Sequence, residues 1–259
     1  MEIVQVKGVG LEVQRIFPVA RSGAALATII FLHEGLGSIA MWRDWPARVC
    51  AATGRDGIVY SRRGYGQSEG IRDVRGAGRL QPDYMHREAL DVLPALLEEL
   101  QVKSPVLLGH SDGASIALLH CAHVGASACI AMAPHVMVED LSLRSIQEAR
   151  VAFESQGMRE RLARFHRDVD VAFWQWNDVW LSAGFRGFDI RADCRLIKAP
   201  VLAIQGQDDA YGTLAQIDEI APTRGLFRKV VLQSCGHSPH RDQADQTTGL
   251  ITEFLAQLP

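Results

Sequence analysis

The sequence predicts an α/β protein with a doubly wound, mostly parallel sheet. Three observations predict it. Short, continuously apolar runs recur along the chain, segments with helical spacing of apolar residues lie between them, and turn clusters separate the two. Residues 11–17 alternate apolar and polar, which suits a half-buried antiparallel strand and an antiparallel hairpin leading the sheet. Residues 25–32 are apolar apart from Thr28, and 58–60, 105–108, 128–132, 201–204 and 230–232 are further apolar runs. Runs without a polar face are expected of parallel strands covered on both sides. Helices are predicted over 83–101, with Pro94 as a kink, and over 115–123, 214–220 and 244–258. One stretch breaks the alternation. Residues 139–195 carry no clear strand, read as helical, and hold Phe153, Phe165, Phe173, Trp174, Trp176 and Trp180. An insertion of that size predicts a helical cap over 139–195 between strands six and seven, with 1–138 and 196–259 forming the core domain.

Composition narrows the function. The chain has 259 residues, 47% hydrophobic and 22% charged, long enough to bury a core without a metal or disulfide staple. With 27 basic against 30 acidic residues, no excess of positive charge supports a nucleic-acid partner. No apolar run approaches the ~18–20 residues that span a bilayer, and the start of the sequence shows no secretory pattern. The five cysteines, Cys50, Cys121, Cys129, Cys194 and Cys235, are odd in number and contain no Cys-x-x-Cys pair. Reduced, buried thiols in a cytoplasmic protein are the expectation. Cys235 lies near His237, but two residues apart on a short loop is poor geometry for a nucleophile and its base.

The chemistry concentrates at predicted strand ends. The run 106–108 leads into Gly109-His110-Ser111-Asp112-Gly113 and then a helix. Gly-x-Ser-x-Gly at a strand-to-helix turn lifts a strained serine above the sheet, and only small flanking residues let the strand and helix pass so closely. Serine needs a base, and His237 follows the last predicted strand in Ser234-Cys235-Gly236-His237-Ser238. The base needs a carboxylate to hold its tautomer. Gln205-Gly206-Gln207-Asp208-Asp209 follows the run 201–204 and offers Asp209, with Asp208 as runner-up. Phe31-Leu32-His33-Glu34-Gly35-Leu36-Gly37-Ser38 follows a buried strand. Its turn can aim the Gly35 amide, or that of Leu36, at an oxyanion, with the Asp112 amide as second donor. The glycine spacing there does not suit a phosphate loop, so nucleotide binding is disfavoured.

These residues, together with Ser61-Arg62-Arg63-Gly64-Tyr65-Gly66-Gln67-Ser68, resemble the α/β-hydrolase superfamily over nearly the whole chain. Size and cap position are similar to enol-lactonases, small esterases, meta-cleavage C–C hydrolases and proline iminopeptidases. The resemblance implies an eight-stranded sheet and catalysis by Ser111, Asp209 and His237 without a cofactor. Three positions depart from the pattern. Glu34 stands where a glycine is usual, Asp112 follows the nucleophile where an apolar residue is common, and Ser61 replaces the usual aspartate after the fourth strand.

Other residues carry weaker signals. His33, His110, His135, His237 and His240 could crowd one end of the sheet. His237/His240 and His120/His123 are spaced His-x-x-His, but a zinc site lacks a third ligand, so no metal is expected. His135, Glu34, Trp174 and Trp180 are the candidate substrate contacts. Arg62, Arg63, Arg72, Arg75 and Arg79 form a basic stretch, by default a solvated loop, from which one arginine could pair with a substrate carboxylate. Tyr84-Met85-His86-Arg87 opens a helix and is expected at the surface. The leading expectation is a serine hydrolase of an ester, lactone or thioester of a small, apolar or aromatic molecule. C–C hydrolysis of a meta-cleavage-type diketone and a non-catalytic ligand-binding role are the alternatives. The partner is a small molecule, with neither nucleic acid nor membrane; the sequence leaves a homodimer open.

Overall fold

A computed structural model describes residues 1–19 and 26–258. Eight strands form one sheet: β1 (Glu2–Val6), β2 (Val9–Ile16), β3 (Ile29–Leu32), β4 (Gly57–Tyr60), β5 (Val106–His110), β6 (Ala128–Met132), β7 (Val201–Gly206) and β8 (Phe227–Leu232). Their order is β1-β2-β4-β3-β5-β6-β7-β8. β2 pairs antiparallel with β1 and β4, and every other pairing is parallel. The third predicted strand starts at Ile29 rather than residue 25; Ala25 lies outside the described residues.

The long apolar runs are explained by two covered faces. Ile30, Leu32, Leu107, Cys129, Ala131 and Ala203 pack into one core cluster, while Ile29, Phe31, Leu108, Ile130, Leu202 and Ile204 pack into another. Successive strand residues point to opposite faces, so a strand sandwiched between helices needs an apolar residue at every position. Burial of each larger side chain contributes about 1.5–3 kcal/mol. β8 is the exception. It pairs only with β7 and alternates between half-buried and exposed residues, because an edge strand is covered on fewer sides.

The helices are α1 (Ile39–Trp42), α2 (Trp45–Thr53), α3 (Tyr84–Arg87), α4 (Leu93–Glu99), α5 (Asp112–His123), α6 (Asp140–Ser155), α7 (Met158–Leu162), α8 (Val169–Trp180), α9 (Arg191–Cys194), α10 (Ala215–Asp218), α11 (Pro239–Asp242) and α12 (Ala244–Ala256). The helix predicted over 83–101 is divided. A π-helical stretch over Glu88–Val92 separates α3 from α4, and Pro94 sits at the start of α4. Proline has no amide to donate and its ring crowds the carbonyl four residues earlier, which the wider turn relieves. The predicted helix 214–220 shrinks to the single turn α10. Between β6 and β7 the chain forms α6 to α9 and a 3-10 turn, Ala183–Gly187; an isolated bridge joins Met137 to Asp189.

Candidate active site

Ser111 sits between β5 and α5 with φ 53° and ψ −120°. The left-handed region is unfavourable for a side chain bearing a Cβ and persists only where surrounding structure enforces it. The flanking glycines show the enforcement. A Cβ on Gly109 would strike the Gly113 carbonyl, and one on Gly113 would strike the Leu32 carbonyl at the end of β3. The turn therefore holds the Ser111 side chain at the carboxyl edge of the sheet, at the amino end of α5.

The sheet brings the other two groups there. His237 follows β8, and its Nε2 lies 3.0 Å from Ser111 Oγ. Asp209 follows β7, and its two oxygens lie 2.8 and 2.9 Å from His237 Nδ1. The carboxylate also accepts from the Tyr211 amide at 2.8 Å and from Gln205 Nε2 at 3.2 Å. Burial alone would raise the Asp209 carboxyl; the His237 hydrogen bond and charge and the Tyr211 amide together outweigh it and hold the pKa below the usual carboxylate value. Asp208 is exposed and takes no part in these bonds. The His237 ring lies beside Tyr211 at 4.7 Å, and its backbone carbonyl accepts from His110 Nε2 at 2.7 Å.

Gly35, Leu36 and Asp112 line the same cavity as Ser111, and among the described residues their amides donate to no protein acceptor. Two side chains hold the 33–37 turn through three hydrogen bonds. Buried Arg62 donates to the carbonyls of His33 at 2.5 Å and Glu34 at 3.1 Å, and His166 Nε2 donates to the Leu36 carbonyl at 3.0 Å. A Cβ on Gly35 would overlap the Trp176 indole, so this position tolerates no side chain.

The two unusual acids are both engaged. Asp112 is fully buried, accepting from the Tyr84 hydroxyl at 2.6 Å and Trp180 Nε1 at 3.3 Å, with Arg62 Nη2 at 3.9 Å. Burial dominates and raises its pKa. Glu34 lies 3.4 Å from His110 Nδ1 and 3.3 Å from Arg241 Nη2. For Glu34 the upward push of burial is overcome by His110 and Arg241, and its pKa falls well below the usual range. Its negative charge is thus countered beside the cavity.

The cavity has a volume of about 220 Å³. Strand ends supply Ser111, His135 and His237, and the inserted helices supply Ile146, Met158, Leu162, Trp176 and Trp180. Of the sequence-predicted contacts, Glu34, His135 and Trp180 line it. Trp174 does not. Two residues before Trp176 on α8, it falls on the opposite face, its ring covered by Arg75 at 3.9 Å and flanked by Phe153 and Phe173. Among the described residues His135 Nδ1 is buried without a hydrogen-bond partner, and desolvation lowers the ring's pKa to about 3, so the imidazole is neutral. Its backbone is pinned by Ser115 Oγ, which accepts from the His135 amide at 2.9 Å and donates to its carbonyl at 2.7 Å.

Sequence reasoning missed Trp176, Tyr211 and Tyr84. Trp176 was legible from its i, i+4 spacing to Trp180. Tyr84, expected at the surface, is buried because α3 packs on α5 and directs its hydroxyl to Asp112. The crowding of His110, His135, His237 and His240 occurs, with ring centroids 4.8–5.7 Å apart, whereas His33 packs on Tyr65 instead. Three of the four histidines in the His-x-x-His pairs are engaged elsewhere, and among the described residues neither ring nitrogen of buried His240 has a hydrogen-bond partner. His237 is bonded at both ring nitrogens, His120 Nδ1 donates to the Ala89 carbonyl at 2.8 Å, and His123 pairs with Asp193 at 2.7 Å. Cys235 is buried, and desolvation pushes its thiol up to about 11, which suits no nucleophile at neutral pH. No helix among the described residues is long and apolar enough to cross a membrane.

A doubly wound sheet of this order, with a serine on a strained turn after β5, defines an α/β hydrolase. A sequence profile of the alpha/beta hydrolase family matches residues 29–249, and the chain belongs to that family. Among solved structures it is similar to the enol-lactonase from Burkholderia xenovorans LB400, with 18% identity and a TM-score of 0.73 over 98% of this chain and 100% of that one. It is also similar to a thermophilic esterase from Thermogutta terrifontis, with 18% identity and a TM-score of 0.71 over 99% and 98% of the two chains. The meta-cleavage product hydrolase from Pseudomonas fluorescens IP01 superimposes with 14% identity and a TM-score of 0.69 over 99% and 98%. No curated protein matches the chain by sequence.

Proposed function

We propose that the protein is a serine hydrolase that cleaves a carboxylic ester, lactone or thioester through an acyl-enzyme. The observation that carries this reading is the continuous relay from Asp209 through His237 to Ser111, which opens on a cavity lined by uncommitted amides. Ser111 Oγ attacks the substrate carbonyl carbon and its proton passes to His237 Nε2. Asp209 keeps Nδ1 protonated and stabilises the imidazolium. The negative charge on the former carbonyl oxygen is met by the amide of Asp112 and that of Gly35 or Leu36. Collapse expels the alcohol, thiol or ring oxygen, which takes the proton back from His237. Water then repeats the sequence on the acyl-enzyme and frees Ser111.

Cavity size supports a small substrate. At about 220 Å³ it lies below the ~300–1,000 Å³ usual for drug-sized ligands. The apolar wall of Ile146, Met158, Leu162, Trp176 and Trp180 favours an aliphatic or single-ring acyl group. Neutral His135 offers one hydrogen bond to it. In this reading residues 139–195 act as a cap over the core, excluding water from the oxyanion.

The test is Ser111→Ala. The variant is expected to fold, to lose turnover of p-nitrophenyl acetate and to resist labelling by a fluorophosphonate. Activity near that of the wild type in Ser111→Ala refutes the proposal. Labelling of the wild type without turnover of any ester, lactone or thioester identifies a binding protein instead.

A further inference from the structure

We propose that His110 is a positioning residue for the reaction. Its imidazole is a strut that fixes how far His237 stands from Ser111, and Glu34 of the 33–37 turn holds that strut in place. The inference rests on the reading of Ser111 as nucleophile and His237 as base.

His110 closes β5 and immediately precedes Ser111. Its buried ring places Nε2 2.7 Å from the backbone carbonyl of His237. A carbonyl can only accept, so Nε2 carries the proton and donates. One peptide bond, one imidazole and one hydrogen bond therefore connect the serine to the histidine that serves it. The serine end is fixed to the sheet, because the Ser111 amide donates to the Met132 carbonyl at 2.9 Å. The histidine end is a loop whose other backbone anchors run elsewhere. The Cys235 carbonyl accepts from the Asp208 amide at 2.9 Å, the Gly236 amide donates to Asp242 at 2.9 Å, and the Ser238 carbonyl accepts from the Arg241 amide at 2.8 Å. Among the described residues, the His110 bond is the backbone anchor of 235–238 that reaches the strand carrying Ser111.

The ring is braced on its remaining sides. His240 and Trp42 stand edge-on to it with centroids 4.8 and 6.3 Å away. Glu34 Oε2 lies 3.4 Å from Nδ1, while Glu34 Oε1 faces Arg241 Nη2 at 3.3 Å. A flipped ring would turn a carbon to the His237 carbonyl and forfeit the hydrogen bond. Glu34 is also the neighbour of Gly35, so one buried side chain touches the nucleophile's strand, the loop of the base and the turn that carries a candidate oxyanion donor. The glutamate that departs from the usual glycine thus supplies a carboxylate beside Nδ1. His237 Nε2 stands 3.0 Å from Ser111 Oγ, and a misplacement of about 1 Å between reacting groups costs about a hundredfold in rate.

Two substitutions test this. His110→Leu keeps apolar bulk and removes the donor, whereas His110→Gln keeps an N–H near the place of Nε2. His110→Leu is expected to lower kcat/KM for p-nitrophenyl acetate and the rate of fluorophosphonate labelling by about 10–100-fold, and His110→Gln to stay within about fivefold of the wild type. Thermal melts check the folding of each. A ring that only filled space gives the reverse order, because leucine packs where glutamine buries an amide. In the wild type, two-bond nitrogen–proton spectra are expected to show His110 protonated at Nε2, a measurement that needs no variant to fold. The inference is overturned if His110→Leu loses less than about tenfold, if His110→Gln reacts no faster than His110→Leu, or if Nε2 carries no proton. Ser111→Ala separates this inference from the proposed function. An inactive, unlabelled Ser111→Ala beside an unimpaired His110→Leu overturns the role of His110 alone, whereas full activity in Ser111→Ala overturns both.

Discussion

Replacing Asp209 by asparagine removes one charge while keeping the shape of the side chain. The carboxylate oxygens lie 2.8 and 2.9 Å from His237 Nδ1, so the centres of charge in the carboxylate–imidazolium pair stand about 4 Å apart. At an effective dielectric near 20, that pair is worth about 4 kcal/mol, which corresponds to roughly a thousandfold in rate. Geometry adds a second penalty. Oδ1 accepts from the Tyr211 amide and Oδ2 faces Gln205 Nε2, so either orientation of an asparagine amide sets a donor against a donor. Gln205 cannot turn over freely, because its Nε2 also donates to the carbonyls of Gly212 and Thr213. Asp209→Asn is therefore expected to lower kcat/KM for p-nitrophenyl acetate by about 10³–10⁴-fold and stability by about 1–3 kcal/mol. Asp208→Asn, one residue away on the exposed side of the loop, is expected to stay within about threefold of the wild type. Steady-state kinetics and urea unfolding on both variants measure this. Asp209→Asn retaining more than about a tenth of the activity, or Asp208→Asn causing the loss, refutes the assignment.

Three further outcomes follow from the same geometry. Gly35→Ala drives a methyl group into the Trp176 indole and is expected to cost about 1–3 kcal/mol and most of the activity, read by thermal unfolding and ester hydrolysis. Tyr84→Phe removes the 2.6 Å hydrogen bond to buried Asp112 and is expected to lower stability by about 1.5–3 kcal/mol, seen as a lower urea midpoint at unchanged slope. His135 stays neutral in the folded state down to about pH 3 but takes up a proton below about pH 6.5 once unfolded, so stability is lost progressively as pH falls through that interval. His135→Leu is expected to recover up to about 3 kcal/mol of the loss between pH 6.5 and pH 4, measured by urea titrations at each pH; His33 and His240, lowered by burial in the same direction, retain their share.

The sequence by itself determined the sheet, because strands covered on both faces need apolar residues at every position and that pattern is local. It also marked Ser111 and His237, since a small-residue turn after an apolar run is a constraint on neighbouring residues. It favoured Asp209 over Asp208 on weaker grounds, because adjacent residues on a turn share most local signals. The tertiary structure decided that choice through which carboxylate meets His237 and the Tyr211 amide. It likewise turned Trp174 away from the cavity and brought Trp176 and Trp180 to it, because the rotation of α8 about its own axis is set by what packs beneath it. The burial of Tyr84 against Asp112 depends on two helices meeting 28 residues apart in the chain, a contact that no local pattern encodes.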